Sequence, residues 1–145
     1  MTDHSKPVHF LLVEDDEDHA DLVARAMREH RVGNTMSRVA DGEAALDYLY
    51  QRGGHAKASR PDVVLLDLNL PKLGGQEVLS TLKSDPELSA IPVVVLTTSE
   101  ADADRVKAYA SRANSYVVKP LDFQQFHDMV RQLGMYWSIW NRPPA

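Results

Sequence analysis

Five short runs rich in β-branched residues and leucine recur along the chain: Val8–Val13, Thr35–Ala40, Asp62–Asp67, Pro92–Thr97 and Ser115–Lys119. Their composition predicts strands. Three of the runs are apolar almost throughout instead of alternating, the pattern of strands covered on both faces of a parallel sheet. The segments between them have helical spacing. Ala20, Val23, Ala24 and Met27 form one apolar stripe, and Ala44, Ala45, Leu46, Tyr48 and Leu49 a second. Gly75 to Ser84 supplies a third helix with Val78, Leu79 and Leu82. It should end near Asp85-Pro86, because proline cannot continue a helix and restricts the residue before it. The fourth helix, Ala101 to Arg112, is mostly polar and alanine-rich, so loose packing is expected of it. From Asp122 a fifth helix carries Phe123, Phe126, Met129, Val130 and Leu133, and its apolar positions continue through Tyr136, Trp137, Ile139 and Trp140 to a stop at Pro143-Pro144.

The order is therefore (βα)₅, of the α/β class. Short helical crossovers between parallel strands are right-handed, which predicts a doubly wound, five-stranded parallel sheet of order 2-1-3-4-5 with helices on both faces. The 145 residues fit one domain. A polar tail, 1–7, precedes a body at 8–135, and an aromatic and proline-rich extension of the last helix occupies 136–145. Gln51 to Arg60 reads as a surface loop.

Composition narrows the function. An apolar share of 43% and a charged share of 26% are those of an ordinary globular protein. A net charge of −5 with scattered basic residues argues against a nucleic-acid partner held by phosphate neutralisation. The absence of cysteine excludes disulfides, thiol catalysis and cysteine-based zinc sites. Met1 to Pro7 lacks the order of a secretory signal. Apolar runs such as Val63 to Leu66 fall far short of the roughly 20 residues needed to cross a bilayer. A cytoplasmic protein without membrane contact is expected. The histidines, His4, His9, His19, His30, His55 and His127, show no zinc-ligand spacing and read as surface residues.

In open α/β sheets, ligands sit beyond the carboxyl ends of the strands, where the strand order reverses. The residues ending the predicted strands are Glu14 and Asp15 after the first, Asp67 at the third, Thr97 and Thr98 at the fourth, and Lys119 before Pro120 at the fifth. Carboxylates about 4 Å apart repel by roughly 4 kcal/mol at an effective dielectric near 20. Three of them need more than one lysine to neutralise them. A hard divalent cation such as Mg²⁺ fits, because it takes a few carboxylate oxygens and keeps waters that a phosphate can replace.

Leu11-Leu12-Val13-Glu14-Asp15-Asp16, Val64-Leu65-Leu66-Asp67-Leu68-Asn69-Leu70-Pro71, Val95-Leu96-Thr97-Thr98-Ser99 and Tyr116-Val117-Val118-Lys119-Pro120 resemble, in order and register, the signature segments of the response-regulator receiver family. The resemblance spans about residues 8–135. It implies the flavodoxin-like, CheY-like version of the fold and a phosphoacceptor signalling protein, not an enzyme acting on others. Asp67 would take a phosphoryl group from a phosphohistidine of a histidine kinase in a two-component phosphorelay. Glu14, Asp15 and Asp67 would hold Mg²⁺ together with the backbone carbonyl of Asn69. Lys119 and Thr97 would contact the phosphoryl oxygens, and Tyr116 would be an aromatic switch responding to Thr97.

A narrower resemblance lies in Leu68-Asn69-Leu70-Pro71-Lys72, the Gly53 to Pro61 loop, Lys83-Ser84-Asp85-Pro86 and the aromatic extension. These look like the single-domain response regulators that serve phytochrome-type histidine kinases. That likeness implies a homodimer through the last helix, with Tyr136, Trp137, Ile139 and Trp140 at the interface, and output by contact with another protein. Two departures stand out. Gly74-Gly75 replaces the usual acidic residue and glycine, which implies a slightly different turn, and Thr98 replaces a smaller residue, which implies narrower access to the pocket.

Taken singly, these residues have simpler explanations. Glu-Asp-Asp at a helix start serves as an N-cap with charges that suit the dipole. Asp67 ends a strand, Lys119 precedes a proline, Thr97 is a good strand former, Tyr116 is a half-buried aromatic, and the aromatic tail can fold back over the core. Their joint register favours the switch. The rival functions are an aspartyl phosphatase, which needs a second acid where Asn69 stands, a flavin carrier, whose phosphate the acidic strand ends would repel, and an interaction module that is never phosphorylated.

Overall fold

The computed structural model describes residues 7–29 and 34–141. Five parallel strands, β1 (Val8–Val13), β2 (Asn34–Val39), β3 (Val63–Leu66), β4 (Val93–Thr97) and β5 (Ser115–Val118), alternate with α1 (Glu17–Arg28), α2 (Gly42–Leu49), α3 (Gly75–Ser84), α4 (Asp102–Ala110) and α5 (Phe123–Met135). The strand order is β2-β1-β3-β4-β5, as the (βα)₅ reading predicts. The almost wholly apolar runs are the three central strands: every residue of β3 and β4 is buried, and so is β1 from Phe10 onward.

Alternation along those strands divides the core into two layers. Leu11, Val13, Val64, Leu66, Val93 and Val95 pack with Ala45 and Leu49 of α2, Val78, Leu79 and Leu82 of α3, and Ala108 of α4. Phe10, Leu12, Val63, Leu65, Val94 and Leu96 face α1 and α5 through Val23, Met27, Phe126 and Val130. Aspartates start three helices: Asp16, Asp41 and Asp122 accept hydrogen bonds from the amides of His19, Ala44 and Gln124, each cap being worth roughly 1 kcal/mol. In α4 the buried residue is Ala108, while Val106 and Tyr109 face outward. This agrees with the loose packing expected from its composition.

Several expectations are corrected. Phe123 is largely exposed instead of joining the apolar face of α5, since it sits in the first turn beyond the edge of the core. The last helix changes to a π-helical turn at Tyr136–Trp140. This turn directs Trp137 into the layer formed by Phe10, Phe126 and Val130, so Trp137 packs in the chain's own core. Tyr136 and Trp140 are exposed, and Ile139 is partly so. Not all the histidines are bland surface groups either. His9 bonds Thr35 and Tyr48, and His127 pairs with Glu29 at 2.7 Å. His4, His30 and the Pro143-Pro144 stop lie outside the described residues. The Gln51 to Arg60 segment contains one 3₁₀ turn, Gly53–His55.

The double glycine has two different explanations. A Cβ on Gly75 would stand under 3.0 Å from the carbonyl oxygen of Asp67 and the Cα of Leu68, so α3 can begin against the end of β3 only with glycine there. Gly75 N–H donates to Leu68 O at 3.0 Å across this approach. Gly74 has open space around its Cβ position and an ordinary φ of −68°, and no side chain caps α3. Gly74 thus occupies the N-cap position of α3 in a backbone conformation open to any residue, and supplies no cap. Gly75→Ala is expected to destabilise the fold by about 1–3 kcal/mol through overpacking, whereas Gly74→Asp should stabilise it by about 0.5–1 kcal/mol. Denaturant unfolding of the two variants checks both signs, and a benign Gly75→Ala would refute the close-approach argument.

Candidate functional site

Each acidic or basic side chain is set in place by the ladder hydrogen bond next to it. Glu14 extends β1 by one residue, its N–H donating to Val39 O at 3.1 Å, while Arg38 Nε holds the Glu14 carbonyl at 2.9 Å. Asp67 N–H donates to Val13 O at 3.0 Å, which places it beside Glu14 at the carboxyl end of β3. Lys119 N–H donates to Thr97 O at 2.7 Å and so ends β5 level with β4. The acidic triplet divides its labour: Asp16 caps α1, Asp15 is exposed, and Glu14 is buried. The capping explanation is thus correct for one residue of the three.

Glu14, Asp15 and Asp67 each present a carboxylate oxygen, and these oxygens lie within 4.8 Å of one another. The Lys119 ammonium, 3% exposed, donates to Glu14 Oε1 at 2.5 Å and to Asp67 Oδ2 at 3.2 Å. Burial, the largest influence, leaves the Glu14 carboxyl raised to about 7 even though the Lys119 ammonium lowers it, and the Asp67 carboxylate adds a smaller upward push. Keeping all three acids ionised therefore needs more positive charge than one lysine supplies. The donors are all carboxylate oxygens, with no nitrogen or sulfur among them, which is the chemistry of a hard divalent cation. Glu14, Asp15 and Asp67 fit Mg²⁺, whose contribution would be positive charge at the oxygens of a transferring phosphoryl group.

Thr97 and Tyr116 lie on the neighbouring strands β4 and β5. Thr97 is fully buried, and its Oγ1 accepts from Ser99 N–H at 3.3 Å. Tyr116 is half-buried, with its hydroxyl donating to Ser99 O at 3.0 Å. Ser99 Oγ in turn donates to Asp104 Oδ2 of α4 at 2.5 Å. Thr97, Tyr116 and α4 are thus joined through one serine. Asn69 is exposed, and its N–H donates to Asp67 Oδ1 at 3.1 Å; Thr98 is also exposed. The residue that sequence reasoning missed is His19, whose Nδ1 lies 2.9 Å from Lys119 Nζ. No spacing rule could find it, because the two are 100 positions apart.

A doubly wound parallel sheet with an acidic cluster and a buried lysine at its switch point defines the class of protein. Residues 10–131 match the response regulator receiver domain, and the chain belongs to that family. It is similar to the probable methanogenesis regulatory protein FilR2 of Methanothrix harundinacea, with 47% identity over 96% of this chain and 89% of that protein. The response regulator Rcp1 of Synechocystis is 38% identical over 94% of each chain. The Mn²⁺-bound crystal form of Rcp1 superposes with a TM-score of 0.92 over 96% of this chain and 100% of that one. The phosphorylated cyanobacterial phytochrome response regulator RcpA superposes at 0.93, with 39% identity, over 97% of this chain and 100% of its own. Among the described residues, no helix is long and apolar enough to cross a membrane.

A cation bound only by the folded chain stabilises it by about 2.7 kcal/mol at a hundredfold its dissociation constant. Saturating Mg²⁺ should therefore raise the Tm of the wild type. Asp15 is exposed, so Asp15→Asn should spare the packing and abolish most of the rise. Equal rises in both proteins would rule out the acidic cluster as the cation site.

Proposed function

We propose that this chain is a phosphoacceptor switch of a two-component phosphorelay, charged on Asp67 by a histidine kinase with Mg²⁺ present. The observation that carries the reading is the Lys119 ammonium lying between Glu14 and Asp67 at the carboxyl edge of the sheet. A buried carboxylate is a competent nucleophile toward phosphorus once its charge is offset. Asp67 attacks, the phosphorus–nitrogen bond of the donor phosphohistidine breaks, and its electron pair returns to the imidazole. Glu14, Asp15, Asp67 and the Asn69 carbonyl hold the cation. Lys119 and the Thr97 hydroxyl bind the phosphoryl oxygens, and charge-assisted bonds of this kind bias a two-state loop. Here the loop is the Thr97–Ser99–Tyr116 connection, with Thr97 and Tyr116 as the switch residues, and α4 is the element it moves. The chain assists only its own phosphorylation and dephosphorylation and works in the cytoplasm, in the domain at residues 8–135.

The likeness to Rcp1 and RcpA supports a phytochrome-type kinase as the phosphoryl donor and a second protein as the receiver of the signal. Exposed Tyr136 and Trp140, with Ile139 beside them, support a homodimer through the end of the last helix. Light scattering should give the mass of a dimer for the wild type and of a monomer for Trp140→Ala; a wild-type monomer at high concentration removes the dimer from the account. For the switch itself, incubation with acetyl phosphate and Mg²⁺ should add the mass of one phosphoryl group, and the gain should vanish in Asp67→Asn. An intact chain that gains nothing, or a gain that persists in Asp67→Asn, would overturn the phosphoacceptor reading.

A further inference from the structure

The Lys119 ammonium has three hydrogens and three acceptors. Glu14 Oε1 lies at 2.5 Å, Asp67 Oδ2 at 3.2 Å and His19 Nδ1 at 2.9 Å. An ammonium only donates, so the His19 nitrogen facing it presents a lone pair and the ring hydrogen sits on Nε2. Nε2 is directed toward Asp16, 3.9 Å from its Oδ2. The ring is held from several sides. Asp16 accepts the His19 backbone N–H at 3.0 Å, and Phe126 of α5 meets the imidazole edge-on, with centroids 5.4 Å apart at 83°. Phe126 is 1% exposed and packed in the core beneath the ring.

We propose that His19 is a positioning residue for Lys119, its Nδ1 acting as the neutral acceptor that fixes the ammonium over Asp67. The role rests on the reading of Asp67 as phosphoacceptor. Glu14 and Asp67 have a second duty as cation ligands, and Asp67 is itself the group that changes. His19 is the acceptor of the three without such a duty. Because it is neutral, it directs the ammonium without cancelling its charge, and the full positive charge remains for incoming phosphoryl oxygens. A third carboxylate at this position would hold Lys119 as firmly but would repel the phosphoryl group.

The test uses the full chain with His19→Leu, which removes the acceptor, His19→Asn, whose Oδ1 stands near the place of Nδ1, and His19→Gln, whose amide reaches past it. The first readout is the lysine-ammonium NMR spectrum with no phosphodonor. A slowly exchanging Lys119 signal is expected in the wild type and His19→Asn, and its loss in His19→Leu and His19→Gln. The second is the rate of Asp67 phosphorylation by acetyl phosphate with Mg²⁺. Loss of a hydrogen bond to a charged group predicts a fall of about tenfold or more in His19→Leu, with rescue by His19→Asn. Unchanged signals and rates in His19→Leu overturn the proposal, as does a lost signal with an unchanged rate or a wild type without a protected signal. If His19→Leu does not fold, the His19→Asn and His19→Gln pair decides, since equal behaviour of the two is fatal to it. A wild type that is never phosphorylated on Asp67 defeats the phosphoacceptor reading instead, while the ammonium signal still decides whether His19 holds Lys119.

Discussion

The Lys119 ammonium, buried between the carboxylates of Glu14 and Asp67, is the interaction on which the site depends. It joins the ends of β1, β3 and β5: β1 and β3 are neighbours because the strand order reverses around β1, and β5 lies one strand further on, beyond β4. Its charge is insufficient for its neighbours. Desolvation raises the Glu14 carboxyl to about 7 despite the adjacent ammonium, and two buried carboxylates face one buried lysine. That imbalance makes the site receptive to a divalent cation, and it is the driving force the proposed switch uses.

The scaffold around this imbalance is rigid on one side and yielding on the other. β3 and α3 approach so closely at Gly75 that the backbone of Asp67 and Leu68 leaves no room for a side chain there. Lys83, buried with no carboxylate partner among the described residues, ties the end of α3 to Ser89 O, Ile91 O and Asn114 Oδ1 at 2.8–3.1 Å. Burial lowers its pKa accordingly. On the opposite side, α4 buries Ala108 and leaves Val106 and Tyr109 outside. Few buried apolar contacts mark an element of low local stability, and α4 is linked to the site through Ser99 and Asp104. A charge placed on a fixed acid beside a loosely held helix has an obvious element to move.

The sheet order, the strand positions and the span of α3 were legible in the sequence because uninterrupted apolar runs and proline stops are local signals. The register of Asp67 and Lys119 was legible for the same reason: each ends a run. What the sequence hid is contact across the fold. His19 looks like any polar residue on a first helical turn until β5 returns beside it. Trp137 and Phe123 both fit the apolar stripe of the last helix, but the π turn brings the first into the core, and the second projects past its edge. The Gly74-Gly75 pair read as a single feature, although only the Gly75 position lacks room for a side chain. Likewise the acidic triplet showed charge but not its division into cap, exposed ligand and buried ligand.

The central claim is that Asp67, Lys119 and the acidic cluster form one phosphoryl pocket. Its most direct test is a crystal structure of the chain with Mg²⁺ and beryllofluoride, a phosphoryl mimic that bonds to the acceptor carboxylate. The account predicts beryllium on Asp67, Mg²⁺ on Glu14, Asp15 and Asp67, and the Lys119 ammonium within ion-pair distance of a fluoride. Beryllofluoride on another side chain, or Lys119 turned away from it, would contradict the account.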